Sequence, residues 1–132
     1  MSILNTQTLH ARLAEVKARH PAPPWAEQIA VTENVIGTLI CQAPGHPNDR
    51  HYHLRDEWWI VLEGEIDWEM EGRAEPVHAR AGDFVFAPAN TFHHIHVRGD
   101  QPAIRLAISY PGEFHRHERP EGQRGRSSSE PR

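Results

Sequence analysis

A chain of 132 residues is long enough to bury the core of one domain and leaves no room for a second. Its net charge of −4 lacks the concentrated basic face that a nucleic-acid partner requires, and its single cysteine, Cys41, forms no internal disulfide that would demand an oxidising compartment. No apolar run approaches a membrane span, the longest being residues 58–62, and residues 1–13 are interrupted by Asn5, Thr6, Gln7, His10 and Arg12, so the sequence predicts a cytoplasmic protein with no signal peptide and no membrane partner.

Leu9, Leu13 and Val16 fall at the i, i+4, i+7 spacing of a short amphipathic helix. Asn5 or Thr6 is placed to cap it, and His20-Pro21 to end it, because the residue before proline disfavours the helical region. Pro21-Ala22-Pro23-Pro24 then reads as a stiff connector that Trp25 anchors. From Gln28 onward the pattern changes to short β-rich runs divided by turn residues, with residues 29–32 and 35–42 as the first strands. Residues 58–62 are apolar throughout, as in a strand covered on both faces, and Glu63-Gly64 turns the chain. The next strand alternates, with Ile66, Trp68 and Met70 on a core face and Glu65, Asp67 and Glu69 on a wet one. Residues 77–80 follow, then Phe84, Val85 and Phe86 as expected core, a Pro88-Ala89-Asn90 turn, and a last strand over 104–110. Closing so many short strands on one another removes exposed edges, which favours a barrel over an open sheet.

The chemistry lies between Gly45 and Gly64, where His51, His53 and Glu57 form H-x-H-x3-E. Side chains alternate across an extended strand, so two imidazoles and a carboxylate share one face if the connecting loop keeps parity. Such donors suit a divalent first-row metal, and with a fourth nitrogen they leave one or two coordination positions open.

These residues and a second stretch, Gly82 to Val97, resemble the two motifs of the cupin superfamily of small metal-binding β-barrels. Gly45, His51, His53, Glu57 and Gly64 match every fixed position of the first motif, G-x5-H-x-H-x3-E-x6-G. Gly82, Pro88 and His93 match the second, G-x5-P-x-G-x2-H-x3-N, in which Asn90 replaces a glycine and Val97 an asparagine. Asparagine tolerates a left-handed turn better than most residues. The resemblance implies an all-β, single-domain cupin (jelly-roll) barrel over residues 25–112; the short helix and proline connector read above take up 1–24, and the composition beyond Gly112, which leaves little that is apolar to bury, reads as a disordered tail over 113–132. It also implies that His51, His53, Glu57 and His93 hold the metal.

By parity His94 and His96 face away from that site, while Trp59 and Val61 share the parity of Glu57, as pocket lining or as ordinary core. Tyr110, Phe92, Arg50, Arg55, Arg98 and Arg105 are candidates to meet an anionic substrate. His115 and His117 repeat the H-x-H spacing, but no carboxylate or further histidine is held near them in the sequence pattern.

The resemblance implies one divalent metal ion per chain, iron(II) first with manganese, nickel or zinc as alternatives, and a small-molecule substrate or ligand. Glu57 is the expected catalytic residue. The leading activity is a dioxygenase; the alternatives are a metal-dependent isomerase or lyase and a non-catalytic binding protein. The aromatic excess around Trp25, Trp58 and Trp68 points to a homodimer.

Overall fold

The computed structural model describes residues 2–120, and within them one short helix precedes eight antiparallel strands. The helix, α1, spans Leu13–Ala18. The strands are β1 (Trp25–Val31), β2 (Ile36–Gln42), β3 (Glu57–Glu63), β4 (Glu65–Met70), β5 (Val77–Arg80), β6 (Phe84–Ala87), β7 (His93–Arg98) and β8 (Ala103–Ser109). They form a five-stranded sheet, ordered β1-β2-β8-β3-β6, and a three-stranded sheet, ordered β5-β4-β7. Among the described residues no helix is long and apolar enough to cross a membrane.

The chain passes from the larger sheet to the smaller at Gly64. Its φ of +81° and the 2.8 Å that would separate an added Cβ from Ala103 leave room for no other residue. The two inner faces meet in a core of Trp59, Val61, Ile66, Trp68, Met70, Val85, Ile95 and several alanines. Strict alternation puts Ile66, Trp68 and Met70 there, as the pattern predicts. Asp67, on the opposite face, is only 7% exposed because His78 and Arg98 close over its carboxylate.

A second apolar cluster lies on the reverse parity of the larger sheet, where Val16 packs with Leu39, Cys41 and Ile104. The helix is therefore a cover for the outside of that sheet. It is shorter than the spacing predicts: Leu9 is 85% exposed, Arg12 is the N-cap without a side-chain bond, and Asn5 instead closes a turn by accepting from the Gln7 and Thr8 amides. His20 ends the segment stacked on Trp25, centroids 4.3 Å apart.

Two aromatic expectations are corrected. Phe84 and Phe86 are 71% and 54% exposed; β6 is an edge strand, and only Val85 and Ala87 turn inward. Of the three tryptophans expected to leave apolar surface, Trp68 is fully buried and Trp25 half-buried, so Trp58, at 38% exposure, remains.

Residues 113–120 also depart from the expected tail. The Tyr52 and Arg116 backbones exchange two hydrogen bonds, the Tyr52 hydroxyl donates to the Glu118 carbonyl, and Arg119 donates to the Glu71 carboxylate and the Asn90 carbonyl. Backbone pairing and one arginine hold this strap where apolar content alone gives no reason for order. The remainder of that expectation, residues 121–132, lies outside the described residues.

Candidate metal centre

Glu57 opens β3, and its inward parity with Trp59 and Val61 sends its carboxylate into the barrel. His93 opens β7 with the same inward sense. His51 and His53 come from the loop before β3, fixed by backbone bonds between His51 and His93 in both directions and by the Asn90 amide donating to the His53 carbonyl at 2.7 Å. Asn90 has φ +63°, the left-handed turn its side chain tolerates, so the departure from glycine leaves the motif's geometry in place. Val97, in place of the usual asparagine, pairs with Ile66 and packs against the core.

Four side chains thus converge, with one ligand atom from each within 4.8 Å of the others. Glu57 Oε1 lies 3.1 Å from His53 Nε2 and 3.4 Å from His93 Nε2. The ring centroids of His51 and His93 are 4.4 Å apart, those of His51 and His53 4.9 Å. His51, His53 and His93 are 3%, 7% and 1% exposed.

The tautomers follow from the outer hydrogen bonds. Each Nδ1 faces a backbone carbonyl: Asp49 for His51 at 2.9 Å, Phe114 for His53 at 3.0 Å and Thr91 for His93 at 3.2 Å. A carbonyl only accepts, so each Nδ1 carries hydrogen and, in the neutral ring, each Nε2 presents a lone pair inward. Glu57 Oε1 and His93 Nε2 are buried without a hydrogen-bond partner. Lone pairs that face one another in a buried cluster are offset by a cation, and three imidazoles with one carboxylate could hold a divalent first-row metal.

The electrostatics agree. Burial, reinforced by the charge of His93, lowers His51 to about 4, so it is neutral at pH 7. Burial also opposes charge on His53, but Glu57 outweighs it and raises the imidazole. Glu57 is itself disfavoured by burial, yet His53 and His93 beside it hold the carboxyl down at about 2. Without a metal, a proton on His53 is the cation that Glu57 attracts.

The wall around these ligands is apolar. Trp59 meets His93 edge-on at 5.2 Å, and Val61, Ala87 and Ala107 share its face. Of the candidate arginines, Arg105 alone is buried, at 2% exposure; Arg50 lies over Phe92, Arg55 over Tyr110, and Arg98 pairs with Asp67. His94 and His96 face outward, where Glu69 lies beside both and Asn48 accepts from His94.

His115 and His117 are where sequence reasoning falls short. The strap stacks His115 on His51, centroids 3.6 Å apart, and both histidines bond Asp49, at 2.9 Å and 2.5 Å. The carboxylate that the pattern does not supply comes from a loop 66 residues earlier than His115. Only the repeated H-x-H hints at it.

Comparison with known proteins matches the family model described as a cupin domain to residues 38–109. No curated protein matches the chain. Among solved structures, an RmlC-like cupin family protein with a double-stranded β-helix fold from Methanocaldococcus jannaschii is 22% identical, with TM-score 0.61 over 67% of this chain and 81% of that one. A cupin-2 domain containing protein from Shewanella frigidimarina is 16% identical, with TM-score 0.64 over 80% of this chain and 99% of that one. The DMSP lyase DddQ from Ruegeria pomeroyi is 26% identical, with TM-score 0.54 over 61% of this chain and 40% of that one. A family match over more than half of the sequence, the two-sheet barrel and the inward histidine–glutamate cluster agree, and the chain belongs to the cupin family.

Proposed function

We propose that this cupin holds one divalent metal ion on His51, His53, Glu57 and His93 and acts as a metal-dependent enzyme on a small organic molecule, with dioxygenase chemistry on iron(II) as the leading reading. The observation that carries it is the set of three imidazoles, each fixed at Nδ1 by a backbone carbonyl, around the unsatisfied Glu57 Oε1. A bound ion with open positions supplies Lewis acidity and, if redox-active, oxygen chemistry. The protein's own contribution is orientation and dryness. Glu57 offsets the ion's charge, and Trp59, Val61, Ala87 and Ala107 exclude water from the interior. Apart from these ligands, the buried side chains with a titratable or hydroxyl group among the described residues are Asp67, which faces outward to His78 and Arg98, Thr91, Arg105, Tyr52, whose hydroxyl donates to the Glu118 carbonyl, and Cys41, on the outer face of the larger sheet. None is a free base, which favours chemistry centred on the ion.

The resemblance to DMSP lyase DddQ supports a second reading, a lyase in which the ion polarises substrate. One experiment separates the two. Anaerobic iron(II)-loaded protein is treated with nitric oxide, an oxygen surrogate, and its electron paramagnetic resonance is recorded. The high-spin nitrosyl signal is expected, and its loss in Glu57→Gln ties it to this site. No nitric oxide binding in fully iron-loaded protein would falsify the dioxygenase reading and move the lyase ahead.

A further inference from the structure

We infer that Arg105 is the recognition group for a carboxylate, so that the substrate of this site is a small organic acid. This rests on the metal-centre reading above and deepens it. Arg105 lies in β8 between Ala103 and Ala107, all three on the parity that faces the barrel interior. Its neighbours across the sheet are Val61 of β3 and Ile40 of β2. Arg105 is 2% exposed, as deeply buried as Ile104 beside it. It shares this interior with Glu57, whose charge acts on it.

A buried guanidinium is ordinarily matched by a carboxylate, because an unpaired charge in a low-dielectric interior is costly. Arg105 has no such match: Nη1 donates to the neutral Gln42 Oε1 at 2.8 Å, Nε is buried without a partner, and no carboxylate forms an ion pair with it among the described residues. The half-buried Arg119 and Arg116 also keep an Nε without a partner, but Arg119 reaches the Glu71 carboxylate and two rings and Arg116 lies over Phe114, whereas Arg105 meets only a neutral amide oxygen.

Charge balance points the same way. A divalent ion held by neutral imidazoles and one carboxylate keeps one positive charge, and Arg105 adds a second within the same dry interior. The Glu57 carboxylate cannot neutralise both. An anion entering the barrel neutralises that excess, and a guanidinium with free N–H groups binds a carboxylate by charge-assisted, directional hydrogen bonds. Gln42 then acts as the positioning residue that holds the guanidinium in place.

The test compares malonate, succinate and benzoate with the neutral malonamide and benzamide, by calorimetry and thermal melting, on nickel-loaded and on metal-free full-length protein. Wild type, Arg105→Met and Arg105→Lys are measured together with their nickel content. The expected result is carboxylate binding without amide binding, full nickel content in all three proteins, and affinity weakened about tenfold or more in Arg105→Met. Replacing a buried charge by an apolar chain of similar length is often neutral or stabilising, so that variant should fold; Arg105→Lys, which keeps the charge, falls between. The inference is overturned if no carboxylate binds wild type, if amides bind equally well, or if Arg105→Met binds as wild type does. Should wild type take up no nickel, the metal reading fails, and the carboxylate series on the metal-free protein still decides the role of Arg105.

Discussion

The carbonyl of Phe114 accepts the Nδ1 hydrogen of His53 at 3.0 Å, across 61 residues of sequence. A candidate metal ligand in the first motif is thus oriented by the strap at the far end of the described chain. Truncation after Gly112 removes this acceptor, and loss of such an outer partner typically costs about 10–100-fold in metal affinity. Competition with a chelator should show weakening of that order in the truncated protein. Unchanged affinity would mean that the loop alone orients His53. Cutting at residue 119 is not neutral either, because Arg119 ties the strap to Glu71 and Asn90.

Metal removal should destabilise the fold. An ion bound only by the native state contributes its binding free energy, about 2.7 kcal/mol when its concentration is a hundred times Kd. A melting temperature that falls on chelation and returns on adding metal is expected. His51→Ala with His53→Ala should abolish both stoichiometric uptake and that rise. Full metal content in the double variant would place the site elsewhere.

The strap's latch has a defined acid limit. Arg119, hydrogen-bonded to Glu71, lowers its pKa against the opposing effect of burial. A folded-state pKa below the unfolded value means the contribution is present above about pH 4.5 and is lost as pH falls below that through the depressed pKa. The paired amides of Tyr52 and Arg116 report it by nuclear magnetic resonance. Glu71→Gln at neutral pH should speed their hydrogen exchange, and wild type should reach the same state only in acid. Equal protection in wild type and Glu71→Gln at neutral pH would show that backbone pairing suffices.

For assembly we propose a homodimer through the outer face of β3 and β6, where Trp58, Phe84 and Phe86 are exposed together and β6 offers an unpaired edge. Light scattering at micromolar concentration should give twice the 15.1 kDa chain mass. Phe84→Lys with Phe86→Glu should return it to one chain while metal content stays full. A wild-type monomer would rule out this pairing.

What depends on local parity is legible in the sequence. Ile66, Trp68 and Met70 face the core, and Glu57, Trp59 and Val61 share a face, because the two-residue period of a strand needs no knowledge of neighbours. What depends on a strand's place in the sheet is not. Phe84 and Phe86 read as core yet lie on the outside of an edge strand, and nothing within residues 84–87 tells an edge from a centre. Arg105 is one of four arginines near the site by sequence, and only the register of β8 against β2 and β3 turns it inward. The strap is hidden for another reason. Composition measures apolar burial, whereas residues 113–119 are held by backbone bonds and ion pairs that composition does not count.

Trp59 gives the protein an optical gauge of its own. Its indole lies 5.2 Å from His93 and 5.3 Å from Trp68, fully inside the barrel, whereas Trp58 sits in a partly wet setting. A paramagnetic ion held by His93 would lie close to that indole and quench its excited state, and Trp68 would feed the same sink by energy transfer. The blue-shifted, buried part of the emission should therefore dim as metal is added, while the part from the partly exposed Trp58 and Trp25 stays brighter. Occupancy becomes readable from the shape of one spectrum, without a label.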